Sequence, residues 1–215
     1  RAAHLPDSPS AKLDAEWLLA AALGKAPSYL RTWADREVQP EVEARFIAHL
    51  ERRRLGEPVA YILGRQGFWS LELEVAPHTL IPRPDTELLV ETAMTLLPAS
   101  ATRVLDLGTG TGAIALALAS ERPAWRVTGV DRVNEAVTLA ARNAQRLGLS
   151  NTVFLESHWF SSLAGQRYEL IVSNPPYIPS SDPHLSQGDV RFEPTSALVS
   201  GVDGLDDIRL IIAQA

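Results

Sequence analysis

The residues best suited to chemistry are Asn174-Pro175-Pro176-Tyr177, which directly follow the apolar run Leu170-Ile171-Val172. A proline disfavours helical geometry in the residue before it, so we expect a stiff corner at the end of a buried strand. Because proline has no N–H group, this corner offers two acceptors, the side-chain oxygen of Asn174 and the carbonyl of Pro175. With the Tyr177 ring close by, such a corner suits a planar –NH2 group.

A glycine-rich loop, Gly108-Thr109-Gly110-Thr111-Gly112, follows the apolar run Val104-Leu105-Asp106-Leu107 and leads into a predicted helix. Its glycines let a ligand approach the main chain and the start of the helix closely. Asp131 ends the next predicted strand, where a carboxylate can accept from both hydroxyls of a ribose. Trp159 follows the third strand and is a candidate packing surface for adenine. These residues fit either a dinucleotide or S-adenosylmethionine.

The proline corner favours methyl transfer over hydride transfer, which has no use for it. An amide nitrogen is a poor nucleophile because its lone pair is delocalised. If Asn174 and the Pro175 carbonyl accept its two hydrogens, they aim the nitrogen at the methyl-bearing sulfur and stabilise the positive charge that develops during in-line displacement. No strong base is needed, since the proton can leave to water afterwards.

From Arg103 onward the chain alternates between predicted strands and helices. The expected strands are 104–107, 127–130, 153–155 and 170–172, with helices at 113–120 and 134–147. This order predicts an α/β fold, a Rossmann-like, doubly wound parallel sheet with right-handed crossovers. Ligands of such sheets lie beyond the carboxyl ends of the strands, where the glycine loop and the proline corner both fall.

The N-terminal part of the chain has helical periodicity. Three helices are predicted, at 10–24, at 29–33 and from Pro40 to just before Gly56. We expect Ser10 to cap the first helix, and Leu13, Trp17 and Ile47 to face a small core. The run Arg52-Arg53-Arg54 is typical of a solvated helix end, where cations also suit the helix dipole.

Between the helices and the sheet, the hydrophobic period changes to two, which indicates a strand and half of a hairpin. The apolar members of this alternation are Trp69, Leu71, Leu73 and Val75. The sequence therefore predicts an N-terminal helical domain (1–63), a β-hairpin linker (64–80) and a catalytic domain (81–215). In the last of these, Arg83 is a candidate for the mouth of the cleft because functional residues concentrate on loops.

Composition limits the possible functions. The 215 residues carry 20 basic and 26 acidic side chains, a net charge of −6, which argues against stable, charge-driven binding to nucleic acid. The absence of cysteine favours a reducing compartment. No apolar stretch reaches transmembrane length, and the five histidines are scattered, so we expect a cytoplasmic monomer without a metal site.

Four motifs together resemble the peptide chain release factor N5-glutamine methyltransferases, the PrmC/HemK family. They are Ile81-Pro82-Arg83-Pro84-Asp85-Thr86-Glu87, Asp106-Leu107-Gly108-Thr109-Gly110-Thr111-Gly112, Ser173-Asn174-Pro175-Pro176-Tyr177 and Gly188-Asp189-Val190-Arg191-Phe192-Glu193-Pro194. The resemblance implies S-adenosylmethionine as methyl donor, bound by Gly108 to Gly112, Asp131, Trp159 and Asn174. It implies as acceptor the glutamine of the Gly-Gly-Gln loop of class 1 release factors, held at Asn174 to Tyr177, with the helical domain docking this protein substrate.

The chain departs from this family in two places. His158 stands where the family has an acid before the tryptophan. The family sheet also continues after the helix that begins near Leu205, so we expect a truncated chain whose last strand is an uncovered edge. Two alternatives remain at this point, an adenine N6-methyltransferase acting on DNA or RNA and a nicotinamide-dependent oxidoreductase.

Overall fold

The computed structural model describes residue 5 and residues 8–100 and 102–215. Their contacts form two units. The first contains the described residues up to Gly64 together with Pro183–Phe192. The second contains the described residues of Arg65–Asp182 together with Glu193–Ala215. The hairpin thus groups with the second unit, and the 183–192 segment groups with the first.

The first unit is helical. Its helices are α1 (Ala11–Leu23), α2 (Ser28–Thr32), α3 (Pro40–Arg54) and α4 (Val59–Leu63), of which the sequence predicted all but α4. Helices α1, α3 and α4 pack on one another. Helix α1 stops at Gly24, which takes the left-handed conformation with φ 64°. The expected cap at Ser10 is wrong, because its hydroxyl donates to Asp14 Oδ1 (2.8 Å) rather than accepting a main-chain N–H.

The buried face of this unit also differs from the expectation. Leu13, Trp17 and Ile47 are exposed, whereas α1 buries Leu18 together with small alanines. Apolar residues occur all round α1, so its periodicity does not select one face. Tertiary packing decides which face of α1 is buried.

The prediction that all three arginines at the end of α3 are solvated is wrong for Arg53. Its side chain is 6% exposed, and its guanidinium donates to Asp14 Oδ2 and to Asp189 Oδ1, both at 2.7 Å. Asp14 lies on α1 and Asp189 on the 183–192 segment, so one buried cation joins three parts of the unit. The carboxylates offset the cost of burying the charge.

We expect Arg53→Ala to destabilise the protein by about 3–5 kcal/mol, because it strands two carboxylates, one of them buried, without their cation. Chemical denaturation of the whole chain measures this loss. Arg54→Ala is the matched control, since within the described part of the chain Arg54 pairs only with Glu51 on the exposed surface of the same helix, and it should change stability by less than about 0.5 kcal/mol. Equal stability of the two variants would refute the structural role of Arg53.

The second unit confirms the predicted α/β sheet. A two-stranded antiparallel hairpin, β1 (Arg65–Phe68) and β2 (Leu71–Glu74), precedes it. The parallel strands are β3 (Arg103–Leu107), β4 (Arg126–Asp131), β5 (Thr152–Glu156) and β6 (Leu170–Ser173), in the order β5-β4-β3-β6. The helices are α5 (Glu87–Leu96), α6 (Ala113–Glu121), α7 (Asn134–Leu147) and α8 (Asp206–Gln214). Among the described strands, β6 forms one edge of the sheet, as expected. Trp69, which we expected in a strand, lies in the hairpin turn with φ 58°.

The packing and the register of this unit align the ends of three strands. Every residue of α6 from Ala113 to Ala119 is buried, because the helix packs between the sheet and α5. The register pairs Leu107 of β3 with Val130 of β4 and with Ser173 of β6. The loops that follow these three strands therefore emerge side by side at one edge, the usual ligand edge of a parallel sheet. Within the described residues, no helix has the length and apolar character needed to cross a membrane.

Candidate functional site

The glycine loop leaves β3 in a conformation that side chains disfavour. Gly108, Gly110 and Gly112 have φ values of 71°, 54° and 84°. The N–H groups of Gly108 and Thr109 donate to the Val130 carbonyl (both 2.9 Å), which ties the loop to β4. A β-carbon on Gly112 would lie 3.0 Å from the Leu116 side chain, so a larger residue at this position, just before α6, would require that side chain to shift.

Asn143 ties the same loop to the hairpin. This fully buried amide donates to the carbonyls of Glu74 and Thr111 (both 3.0 Å) and accepts the Glu74 N–H (2.8 Å). Three good hydrogen bonds satisfy most of its polar capacity, as a buried amide requires. Through Asn143, helix α7 thereby holds the glycine loop in place.

Asp131 lies at the carboxyl end of β4, facing the loop. Its Oδ2 accepts the Gly110 N–H (2.9 Å) and its Oδ1 accepts the Val133 N–H (3.0 Å). These bonds fix the carboxylate plane. Each oxygen keeps a second lone pair that a bound hydroxyl can use.

The ring of Trp159 covers Gly108. A β-carbon built on Gly108 would be 3.4 Å from this ring, and the tryptophan is 7% exposed. Its backbone is left-handed, with φ 52°, which is unusual for a large side chain. The indole N–H donates to Asp207 Oδ1 on α8 (3.2 Å), so a distant helix holds the ring in position.

The proline corner follows β6. The Ser173 hydroxyl donates to the Leu107 carbonyl (2.8 Å) and fixes the end of the strand against β3. Asn174 Nδ2 donates to the Thr86 hydroxyl (3.3 Å). Among the described residues, Asn174 Oδ1 has no recorded hydrogen-bond partner, so the acceptor that the sequence predicts is available. Tyr177 is 62% exposed.

These elements surround a cleft that opens to solvent. Its lining includes eight of the predicted site residues: Gly108, Thr109, Gly110, Thr111, Asp131, Trp159, Asn174 and Pro176. Gly112, Pro175 and Tyr177 are not among its lining residues. No group of three or more potential metal ligands occurs among the described residues.

Several lining residues were not predicted from the sequence. They include Phe68, Thr86, Arg132, Ser196 and Asp207. Arg83, the candidate for the mouth, does line the cleft and is paired with the buried carboxylate of Glu193. Thr86 belongs to the same proline-rich segment as Arg83, so this segment could have indicated that Thr86 lines the cleft. No sequence pattern near Asp207 indicates a site residue, because Asp207 reaches the cleft through the packing of α8.

Asp106 is a buried acid beneath the glycine loop. Burial raises its pKa to about 7, opposed by the hydrogen bond from the Thr109 hydroxyl (2.7 Å) and by the nearby Ala115 N–H, while the charge of Asp131 adds to the rise. Its Oδ1 has no hydrogen-bond partner among the described residues. At neutral pH a substantial fraction of Asp106 is therefore protonated.

This shift predicts a pH-dependent stability. Between pH 4 and 7 the folded chain holds a proton on Asp106 that the unfolded chain has released. The free energy of unfolding therefore falls as pH rises, by at most about 1.4 kcal/mol per pH unit from this group, and levels off above pH 7. Asp106→Asn removes this contribution. The free energies of unfolding of the variant and the wild type are measured at pH 5 and pH 8. The variant should be more stable relative to the wild type at pH 8 than at pH 5. An equal difference at both pH values would contradict the raised pKa of Asp106.

The donor set matches S-adenosylmethionine. The Asp131 carboxylate, the Trp159 indole and the glycine loop all contribute to the lining of one cleft. At the same edge, Asn174 presents an acceptor that a nicotinamide site would not require.

Comparisons with known proteins agree with this geometry. Residues 2–64 match the PrmC N-terminal domain family, and residues 84–188 match the methyltransferase small domain family. The chain is 71% identical over 212 residues to the release factor glutamine methyltransferase of Pseudomonas aeruginosa, covering 99% of this chain and 77% of that protein.

Proteins of the same name in other organisms are also similar. The Vibrio cholerae protein is 57% identical over 210 residues, covering 97% of this chain and 73% of the relative. The Escherichia coli protein is 53% identical over 212 residues, covering 99% and 76%. The chain belongs to the release factor glutamine methyltransferase family.

Proposed function

We propose that this chain methylates the side-chain amide nitrogen, N5, of the glutamine in the Gly-Gly-Gln motif of class 1 peptide chain release factors, with S-adenosylmethionine as methyl donor and S-adenosylhomocysteine as product. The observation that carries this proposal is the free Oδ1 of Asn174 at the cleft that also contains the glycine loop and Asp131. Family membership supports the same reaction.

The proposed cofactor site combines main-chain and side-chain contacts. When bound, S-adenosylmethionine supplies a methyl group made electrophilic by its positively charged sulfur. Asp131 accepts from the ribose hydroxyls, and Trp159 packs on the adenine. The glycine loop lets the ligand approach the main chain. The residues assigned to this site are Gly108, Thr109, Gly110, Thr111, Gly112, Asp131, Trp159 and Asn174.

The proposed acceptor site is the corner Asn174 to Tyr177. Asn174 Oδ1 and the Pro175 carbonyl accept the two hydrogens of the glutamine amide, while Pro176 and the Tyr177 ring pack on its plane. This grip orients the nitrogen and stabilises the charge that grows on it as the methyl group transfers. The proton then passes to water, so the residues need supply no base.

The protein substrate requires more contact than one glutamine. We assign its docking to the helical first unit, and we propose a monomeric enzyme that acts in the cytoplasm. The net charge of −6 opposes stable binding to nucleic acid.

One labelling experiment tests this function. The chain is incubated with S-adenosylmethionine carrying a labelled methyl group and, in parallel, with a class 1 release factor, DNA or RNA. We expect label only on the release factor, at the glutamine side chain, and none when that glutamine is replaced by alanine. Label on nucleic acid with none on the release factor would overturn the proposal in favour of an adenine methyltransferase.

A further inference from the structure

Thr86 is the last residue of a short 3-10 helix, Pro84–Thr86, that runs directly into α5. Its backbone is helical, with φ −70° and ψ −17°, and its side chain makes no helix-capping hydrogen bond. The hydroxyl accepts from Asn174 Nδ2 instead, at 3.3 Å.

This contact engages the nitrogen end of the Asn174 amide. A carboxamide carries two donors on nitrogen and one acceptor oxygen, so its orientation decides which end a guest meets. A glutamine –NH2 group can be held only by acceptors. With Nδ2 bound to Thr86, the oxygen is the end left for the guest, and rotation of the amide is restricted.

The segment that carries Thr86 is rigidly held. Glu193, whose side chain is fully buried, pairs with Arg83 and accepts the Ile81 N–H (3.4 Å). The Thr86 N–H donates to the Arg83 carbonyl (3.0 Å), which closes a tight turn. Pro82 and Pro84 stiffen the same stretch. The Thr86 hydroxyl is therefore held in one place, which is required of a group that positions Asn174.

We infer that Thr86 is a positioning residue for the methyl transfer, which it serves by holding the Asn174 side-chain amide with its oxygen available to the acceptor glutamine. This inference rests on the proposed function. It assigns Thr86 no contact with the donor or the acceptor, so its whole effect passes through Asn174.

Two substitutions separate this role from a structural one. Thr86→Val keeps the side-chain shape and removes the hydroxyl, while Thr86→Ser keeps the hydroxyl. Losing one neutral hydrogen bond that orients a reacting partner is expected to lower kcat about 10-fold in the valine variant. The serine variant should stay within about threefold of wild type. Thermal stability should change little in both, because the hydroxyl caps no helix.

A double-mutant cycle gives the sharper test. In the Asn174→Ala background, under single-turnover conditions with excess enzyme, Thr86→Val should cause no further loss. An equal loss in both backgrounds, a valine variant as fast as wild type, or a serine variant as slow as valine would each overturn the inference.

A readout independent of turnover distinguishes failure of the inference from failure of the proposed function. The Asn174 side-chain –NH2 signals in a 15N–1H spectrum should shift in Thr86→Val and stay near their wild-type positions in Thr86→Ser. Unmoved signals in the valine variant would overturn the inference even if the enzyme is active. If the wild-type chain methylates no release factor but the Asn174 signals do shift in Thr86→Val, the proposed function alone is overturned.

Discussion

Replacing Asn174 by alanine should lower methyl transfer to the release-factor glutamine about 10²–10³-fold at saturating S-adenosylmethionine, the range seen when one preorganised transition-state contact is removed. The variant loses the acceptor that both orients the nitrogen and stabilises its developing charge. The fold should persist, because among the described residues the Asn174 side chain hydrogen-bonds only to Thr86. The measurement is kcat by label transfer, with the thermal unfolding midpoint recorded alongside.

Asn134→Ala is the matched control for this experiment. Asn134 lies at the start of α7, is exposed and bonds only to Glu156 (2.8 Å) among recorded side-chain contacts. It lies outside the cleft lining, so its loss should leave kcat within about twofold of wild type. If Asn174→Ala behaved like this control, the corner would have no part in catalysis.

Asp131→Asn should weaken S-adenosylmethionine binding about 30–150-fold, equivalent to about 2–3 kcal/mol. Both carboxylate oxygens accept main-chain N–H groups, from Gly110 and Val133. Whichever way the new amide turns, its –NH2 group faces one of these donors, and a bond that shapes the loop is replaced by repulsion. The charge that favours the ribose hydroxyls is lost as well. Calorimetric titration of the whole chain measures the effect.

Glu135→Gln is the control for this second variant. It removes a carboxylate from the same stretch, in the exposed first turn of α7, where it does not line the cleft. Its dissociation constant should match that of the wild type. Equal affinities for Asp131→Asn and Glu135→Gln would show that Asp131 does not hold the donor.

The architecture of the sheet could be predicted because its signals are local. Short apolar runs in the sequence predict strands at 104–107, 127–130, 153–155 and 170–172, and β3, β4, β5 and β6 all lie there. The alternation of strands and helices predicts that the strands run parallel, as they do. Because parallel strands end at the same edge of a sheet, the glycine loop, Asp131 and Asn174 come together there.

The unpredicted features depend on pairs far apart in the sequence. Arg53 is buried because Asp14 and Asp189 converge on it, and no pattern near residue 53 encodes this. Thr86 meets Asn174 across 88 positions. Asp207 likewise supports Trp159 from a separate helix. A local pattern can identify a residue type suited to chemistry, but its hydrogen-bond partner is decided by tertiary packing.

The most direct test of the proposed catalytic corner is a crystal structure of this chain with S-adenosylhomocysteine and a class 1 release factor. The account predicts that the Gly-Gly-Gln side-chain nitrogen lies within about 3.2 Å of both Asn174 Oδ1 and the Pro175 carbonyl oxygen, and faces the donor sulfur. A glutamine nitrogen bound elsewhere, or an Asn174 amide turned so that its –NH2 faces the glutamine, would contradict it.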